Sequence, residues 1–444
     1  MAITETKTKY GQVHGVQKDG YTVFRGVPYA KPPVGEKRFC PPEEPACWEG
    51  VYKADHFGCV CPQTEHEPDS FYGKEFYLDP EFGMNQGEDC LYLNIWTPAN
   101  TVDEKLPVAF WIHGGAFMHG FSHESEFDGA AYCERGVILV TINYRLGAFG
   151  FLAHPWLSEE SGAGRSGNYA ILDQIAALKW VKENIAAFGG DPENITVFGQ
   201  SAGCMSVQTL ISSPLTENWI SKAIFQSAGG YDTGLNRDMP LSEAETIGQE
   251  FVELSGAKSL EELRAIPAEK IVELQEEFGR VNPSRMLSFV PNIDNHLLTC
   301  GYNDAVTEGK IKDIPYMLGS TADDIGVFPE MKEKGEHGGI YKGCINWSLA
   351  LEKLGRKPAY VYYFTRALLG DNAGAFHSSE LWYMFGTLGR SWRPKTEGDY
   401  ALSKEMMDDW TNFMKTGNPN AEGKDDWKPC TKDDPYVQVL DVRK

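Results

Sequence analysis

The sequence has no apolar run approaching the roughly 18 residues that a membrane-spanning helix needs. Its first stretch, MAITETKTKYGQVHG, has no apolar segment of the kind that directs secretion, so a cytoplasmic location is expected. Cations are in short supply: 41 Lys and Arg stand against 63 Asp and Glu, a formal charge of -22. Binding to nucleic acid or to an anionic membrane surface rests on clustered cations, so neither partner is expected. Cysteine is sparse as well, with ten in 444 residues. That is far below the density of a disulfide scaffold, and Cys59-Val60-Cys61 is too tight for half of a zinc pair. No metal or organic cofactor is expected. Internal repeats, low-complexity tracts and Ser/Gly linkers are also missing, which excludes solenoid and tethered-domain architectures.

What is there is an alternation of short apolar runs with helical stretches. Val108 to Ile112, Val137 to Asn143, Ile195 to Phe198, Ile220 to Gln226, Pro315 to Gly319 and Ala359 to Phe364 read as strands. Asn168 to Ala187 places Ile171, Leu172, Ile175, Leu178, Val181 and Ile185 at helical spacing, and Phe188-Gly189-Gly190-Asp191-Pro192 stops it. Continuous apolar strands interleaved with helices predict a doubly wound, mostly parallel α/β sheet covered on both faces. The charged stretch Ser242 to Leu287 predicts a helical insertion, around residues 240–290, within one domain spanning 1–444.

Gly199-Gln200-Ser201-Ala202-Gly203 is the one G-x-S-x-G of the chain. It follows a strand and precedes a helix-compatible run, the setting of a nucleophile elbow. Small residues two positions to either side let the backbone turn sharply and present the serine. In that architecture the order along the chain is serine, acid, histidine. Only His296, His337 and His377 follow Ser201. His337 sits in a polar Gly-rich stretch, and His296 follows Asp294 too closely to leave room for an acid on its own strand. His377 lies after the last strongly apolar strand and before LWYMF, which suits a neutral imidazole acting as base. Asp323, Asp324 and Asp294 all lie at strand ends and remain candidates for the acid. His113-Gly114-Gly115-Ala116-Phe117 ends the VAFWI strand with small residues whose amides can face an oxyanion, and the Ala202 amide adds a further donor. Phe117, Phe121, Phe149 and Phe151 fit a substrate pocket and a core equally well.

Beyond these residues, the chain resembles the type-B carboxylesterase/lipase family, which includes cholinesterases and bacterial para-nitrobenzyl esterases. The resemblance runs through Phe24-Arg25-Gly26-Val27-Pro28-Tyr29-Ala30, Glu88-Asp89-Cys90-Leu91-Tyr92-Leu93-Asn94, Asn143-Tyr144-Arg145-Leu146-Gly147, the elbow, AFHSSEL around His377, and FMKTGNPN near the end. It implies an α/β-hydrolase fold and a serine carboxylic-ester hydrolase working through an acyl-enzyme on small ester molecules. It implies Ser201 as nucleophile, Asp324 as acid, His377 as base, and Gly115, Ala116 and Ala202 as oxyanion donors. It further implies that Arg145 and Asp173 form a buried structural ion pair and that Cys61 and Cys90 match a pair bridged in secreted members. Three departures stand out. Aspartate occupies the place of the usual glutamate acid, Gln200 replaces the glutamate common before the nucleophile, and Asp324 and His377 are unusually close in sequence, which predicts a more open site. Adhesion members of the family lack the nucleophile or the histidine; this sequence keeps both. An esterase dedicated to one substrate, such as a feruloyl or drug-like ester, is the nearer alternative.

Overall fold

In the computed structural model, which describes residues 2–443, one twelve-stranded sheet organises the chain. Its strands are β1 (Glu5–Lys7), β2 (Gln12–Gln17), β3 (Thr22–Pro28), β4 (Val51–Ala54), β5 (Tyr92–Thr97), β6 (Leu106–Ile112), β7 (Ile138–Ile142), β8 (Gly190–Gln200), β9 (Lys222–Gln226), β10 (Tyr316–Thr321), β11 (Tyr360–Phe364) and β12 (Gln438–Leu440). The spatial order is β1-β2-β3-β5-β7-β6-β8-β9-β10-β11-β12, with β4 beside β2. Every pairing from β7 to β12 is parallel. The N-terminal edge, from β1 to β7, is antiparallel apart from β4.

The six expected strands are all present, within a few residues of their expected ends. The antiparallel edge was not expected. Its outer strands are half exposed: β2 alternates exposed and buried positions, so no continuous apolar run marks it. The central strands differ because both of their faces are covered. Val108, Phe110 and Ile112 of β6 pack into one apolar cluster, while Ala109 and Trp111 pack into another. Side chains alternate across a strand, so one apolar run supplies both layers. Helices Tyr169–Asn184, Ala202–Ser212 and Gly339–Lys353 cover the first face through Leu178, Leu210 and Trp347. Helix Glu397–Thr416 covers the second through Met406, Trp410 and Phe413.

Helix Tyr169–Asn184 tightens into a 3₁₀ turn over Ile185–Phe188, and Gly189 closes it in the left-handed region at φ +82°. An alanine there would also put its methyl 2.2 Å from the Ala99 side chain. The insertion comprises helices Leu241–Ser255, Leu260–Ala265 and Ala268–Val281. Ile271, Leu274 and Phe278 form the buried stripe of the last one, at the spacing of a one-faced helix. Arg145 and Asp173 form a two-pronged ion pair, Nη2 to Oδ1 at 2.7 Å and Nε to Oδ2 at 2.8 Å, with both side chains buried. All ten cysteines are free thiols, and a hydrogen bond with Cys61, together with burial, pushes the Cys90 thiol well up. Among the described residues, no helix is long and apolar enough to cross a membrane.

Candidate active site

Strand β8 runs straight into Ser201, whose backbone sits at φ 55°, ψ −126° before helix Ala202–Ser212 begins. A side chain other than glycine pays on the order of 1–3 kcal/mol to hold such a conformation. The flanking glycines explain how it is held. A Cβ at Gly203 would lie 2.0 Å from the Ile112 carbonyl oxygen, and one at Gly199 would lie 2.6 Å from the Gly203 carbonyl. The turn therefore closes directly on the end of β6. The Ser201 amide donates to the Gln226 carbonyl at 2.9 Å, which ties the elbow to β9 as well.

The loop after β6 lies against this turn. A Cβ at Gly114 would meet the Gln200 carbonyl at 2.8 Å and the Ser201 Cβ at 3.1 Å. Gly115, Ala116 and Phe117 all take positive φ, at 99°, 55° and 61°. Successive left-handed residues turn the Gly115 and Ala116 amides away from the strand ladder, and no protein acceptor among the described residues takes either N–H. Ala202 opens its helix, where the first four N–H groups have no intrahelical acceptor. Beneath the loop, the His113 ring stacks on Tyr144 at 4.4 Å, and burial holds its pKa down at about 4.

His377 arrives from the loop after β11. Its Nδ1 lies 2.6 Å from Asp324 Oδ1. Asp324 is itself fixed by backbone donors: Ile325 N–H to Oδ1 at 2.8 Å and Thr321 N–H to Oδ2 at 3.0 Å. Asp323 points elsewhere. Its Oδ2 accepts the Ala375 N–H at 2.8 Å and its other oxygen pairs with Lys332. Asp294 uses Oδ1 for the N–H groups of His296 and Leu297, and with His296 it lines a separate cavity. His337 stacks on Tyr341. Of the three candidate acids and three candidate bases, the fold brings Asp324 and His377 together beside Ser201 and leaves the others apart.

One contact was not expected. Gln200 Nε2 lies 3.0 Å from His377 Nε2, so the carboxamide donates to the ring nitrogen that a serine hydroxyl would use. The ring is thus held at both nitrogens, Nδ1 by Asp324 and Nε2 by Gln200.

Ser201, Gln200, His377 and the Gly114–Ala116 loop open on a cavity of about 250 Å³. Its aromatic wall is Tyr72, Phe76, Tyr77 and Phe127. Phe117, Phe121, Phe149 and Phe151 are buried and do not line it; Phe117 packs edge-on against Phe151, and Phe149 stacks on Phe39. The wall comes mainly from helix Phe71–Phe76, capped by the Ser70 hydroxyl. Glu75 on that helix accepts hydrogen bonds from Trp382 Nε1, Trp392 Nε1 and Arg393 Nε, at 3.1, 3.0 and 2.8 Å. The cover is thereby anchored to the segment that follows His377. Two buried carboxyls, Glu124 and Glu126, also line the cavity. Sequence reasoning missed these residues because the stretches 66–77 and 119–127 carry no periodic pattern. The signal that was available is charge within an apolar setting, in HESEFDG.

The Carboxylesterase family model matches residues 3–341 and 341–444. The chain is 33% identical to a para-nitrobenzyl esterase of Bacillus subtilis, over 98% of this chain and 94% of that protein. It is 33% identical to a fumonisin B1 esterase of Sphingopyxis macrogoltabida, over 95% of this chain and 83% of that protein. Among solved structures, a PNB esterase superposes with a TM-score of 0.86 at 31% identity, covering 99% of this chain and 96% of that one. A carboxylesterase of Geobacillus stearothermophilus superposes with a TM-score of 0.83 at 32% identity and the same coverage. A strained serine elbow, an imidazole held against a carboxylate and a whole-length match thus converge: the chain belongs to the carboxylesterase family, has the α/β-hydrolase fold, and is a serine carboxylic-ester hydrolase.

Proposed function

We propose that Ser201 is the nucleophile, His377 the general base and Asp324 its partner, with the amides of Gly115, Ala116 and Ala202 receiving the oxyanion. His377 Nε2 takes the Ser201 hydroxyl proton as Oγ attacks the ester carbonyl. The Gln200 carboxamide swings off Nε2 to admit that proton. The carbonyl oxygen becomes an oxyanion against the three amides, each donor contributing on the order of 3 kcal/mol in the transition state. Collapse breaks the bond to the alcohol, which leaves with the proton returned by His377. Water then repeats the sequence on the acyl-serine. The Asp324 carboxylate compensates the imidazolium.

The observation that carries this reading is the 2.6 Å contact of His377 with Asp324 in the same cavity as the strained Ser201. The aromatic wall and a volume of about 250 Å³ support small to medium esters with an apolar or aromatic part. Strands from Glu5 to Leu440 in one sheet support a single domain over residues 1–444. Ser201→Ala is expected to abolish para-nitrophenyl ester turnover and labelling by a fluorophosphonate probe. Retained turnover would overturn the assignment.

A further inference from the structure

A second cavity, larger than the one that holds Ser201, lies between the helical insertion and the body of the fold. It encloses about 880 Å³ against about 250 Å³, and the two share no lining residue. Leu260 and Arg264 of helix Leu260–Ala265 line one side, and Phe39, Leu157, Tyr169 and Leu172 line the other. Phe39, Leu157 and Tyr169 are buried and belong to the main apolar cluster, so this floor is both apolar and fixed. Ester hydrolysis at Ser201 makes no use of the space.

Inside the rim of this cleft, every charged side chain but one has its partner. Arg264 holds Glu160 side-on, Nη1 to Oε1 at 2.7 Å and Nη2 to Oε2 at 2.6 Å, while its Nε donates to the Arg38 carbonyl at 3.0 Å. Lys37 pairs with Glu43. Asp294 Oδ1 takes the N–H groups of His296 and Leu297, and its Oδ2 takes Asn168 Nδ2 at 3.0 Å. Glu36 and Glu261 stand exposed on the rim. Arg165 alone is half-buried with no acceptor among the described residues. The chain around it builds that position. Gly162, Gly164 and Gly167 take φ of 64°, 66° and 90°, which doubles the loop back. Ser166 is then pinned: its hydroxyl meets Ser158 Oγ at 2.8 Å and accepts from the His154 N–H at 3.1 Å, and its carbonyl accepts from Asn292 Nδ2 at 3.0 Å. The tip of the loop is exposed, whereas Arg165 is drawn into the cleft beside His296, whose ring also makes no hydrogen bond.

These features select a ligand class. A planar guanidinium with its donors open matches a carboxylate, which it can hold through two parallel bonds. One unpaired cation balances one negative charge, and Glu36 and Glu261 at the rim oppose a second, which disfavours a dianionic phosphate. The apolar floor takes hydrocarbon, and the volume lies in the range of small-molecule sites. We propose that this cleft is a second binding site, for a monocarboxylate with a hydrocarbon body, its carboxylate on Arg165 and its chain along Phe39, Leu157 and Tyr169. Hydrolysis of an apolar ester releases an acid of this class. The site is separate from Ser201, so its test does not depend on the triad.

The probe is decanoate, titrated calorimetrically into the whole protein at about 0.15 M salt to screen the acidic surface. Decan-1-ol and decylammonium are the controls. The serine is first capped with a fluorophosphonate, which fills the catalytic cavity; a sample that does not label is titrated as it stands, because Arg165→Glu by itself tells the two cavities apart. Decanoate is expected to bind with a Kd below about 1 mM, and about ten-fold or more tightly than either control. Arg165→Glu should weaken it by about ten-fold or more, and Arg165→Lys by less, since lysine keeps the charge without the planar fork. Uncapped, both variants should turn over para-nitrophenyl butyrate within about two-fold of the parent enzyme, as expected of a change far from the reacting atoms. If the glutamate variant does not fold, Arg165→Gln removes the charge alone and is read in the same way. A decanoate Kd above about 1 mM, a control that binds as tightly as decanoate, or an affinity that survives loss of the Arg165 charge each overturns the proposal.

Discussion

Replacing Asp324 with asparagine separates it sharply from its neighbour Asp323. Asp324 Oδ1 serves two N–H donors, the His377 Nδ1–H at 2.6 Å and the Ile325 amide at 2.8 Å, while Oδ2 serves the Thr321 amide at 3.0 Å. Asparagine has one acceptor oxygen for these two positions. If that oxygen stays toward His377, the NH₂ group faces the Thr321 N–H, donor against donor. If it turns, the NH₂ group faces the imidazole and forces the proton onto Nε2, the nitrogen that must accept the serine proton. In either orientation the imidazolium of the transition state loses its counter-charge. The expected loss in kcat/KM is about 10³–10⁴-fold, or about 4–5.5 kcal/mol of transition-state stabilisation. Asp323→Asn removes a partly exposed pair with Lys332 and weakens one bond to the Ala375 amide. Exposed pairs contribute about 0–1 kcal/mol, so turnover should stay within about three-fold of the parent enzyme. Asp324→Glu would push the longer carboxylate into a ring already in contact, and a misplacement of that size is expected to cost about 10²-fold. The assay is para-nitrophenyl butyrate hydrolysis, with active sites counted by fluorophosphonate titration and folding followed by circular dichroism. Equal losses at 323 and 324, or a folded Asp324→Asn enzyme keeping a tenth of its activity, would refute the reasoning.

Two further expectations follow from buried polar groups near the site. Gln200→Glu places a carboxylate against His377 Nε2 in place of the carboxamide now 3.0 Å away. A nearby negative charge favours the protonated ring, so the acidic limb of the kcat/KM profile should move to higher pH by about one unit or more, and an unmoved limb would show that this contact does not form in solution. Glu380 is fully buried, and desolvation, reinforced by Asp324, raises its pKa to about 7. Its folded value is raised, so its stabilising contribution is complete below about 4.5 and is lost as pH climbs through about 7, a span corresponding to roughly 3 kcal/mol. Glu380→Gln should therefore melt higher than the parent enzyme at pH 8 but not at pH 4.5, and a melting difference that does not change with pH would contradict the assignment.

Strands and elbow were legible because their determinants are local. A strand buried on both faces must be apolar at every position, so β6 to β11 announce themselves as runs such as VAFWI and ITVF. The elbow is legible for the same reason, since Gly199 and Gly203 relieve clashes within a few residues of Ser201. The strands before Tyr92 were not: β1, β2 and β4 are short and half exposed, and β3, though mostly buried, has its apolar run broken by Arg25 and Gly26. Nor did the residues themselves choose among Asp294, Asp323 and Asp324. That choice came from family resemblance, and the contact it concerns spans 53 positions.

What the sequence by itself determined is the layered α/β sheet, the strained serine turn and the short set of histidines able to reach it. Backbone chemistry and apolar periodicity write these into neighbouring residues. Family resemblance pointed to Asp324; the tertiary structure brought its carboxylate to the imidazole, and it alone decided that Gln200 occupies Nε2 and that Glu126 joins the cavity wall. It also decided that Glu75, 307 positions from Trp382, pins the cover over the cavity. These are contacts between side chains distant in the chain, made only when packing brings their loops to one end of the sheet, so no local pattern encodes them.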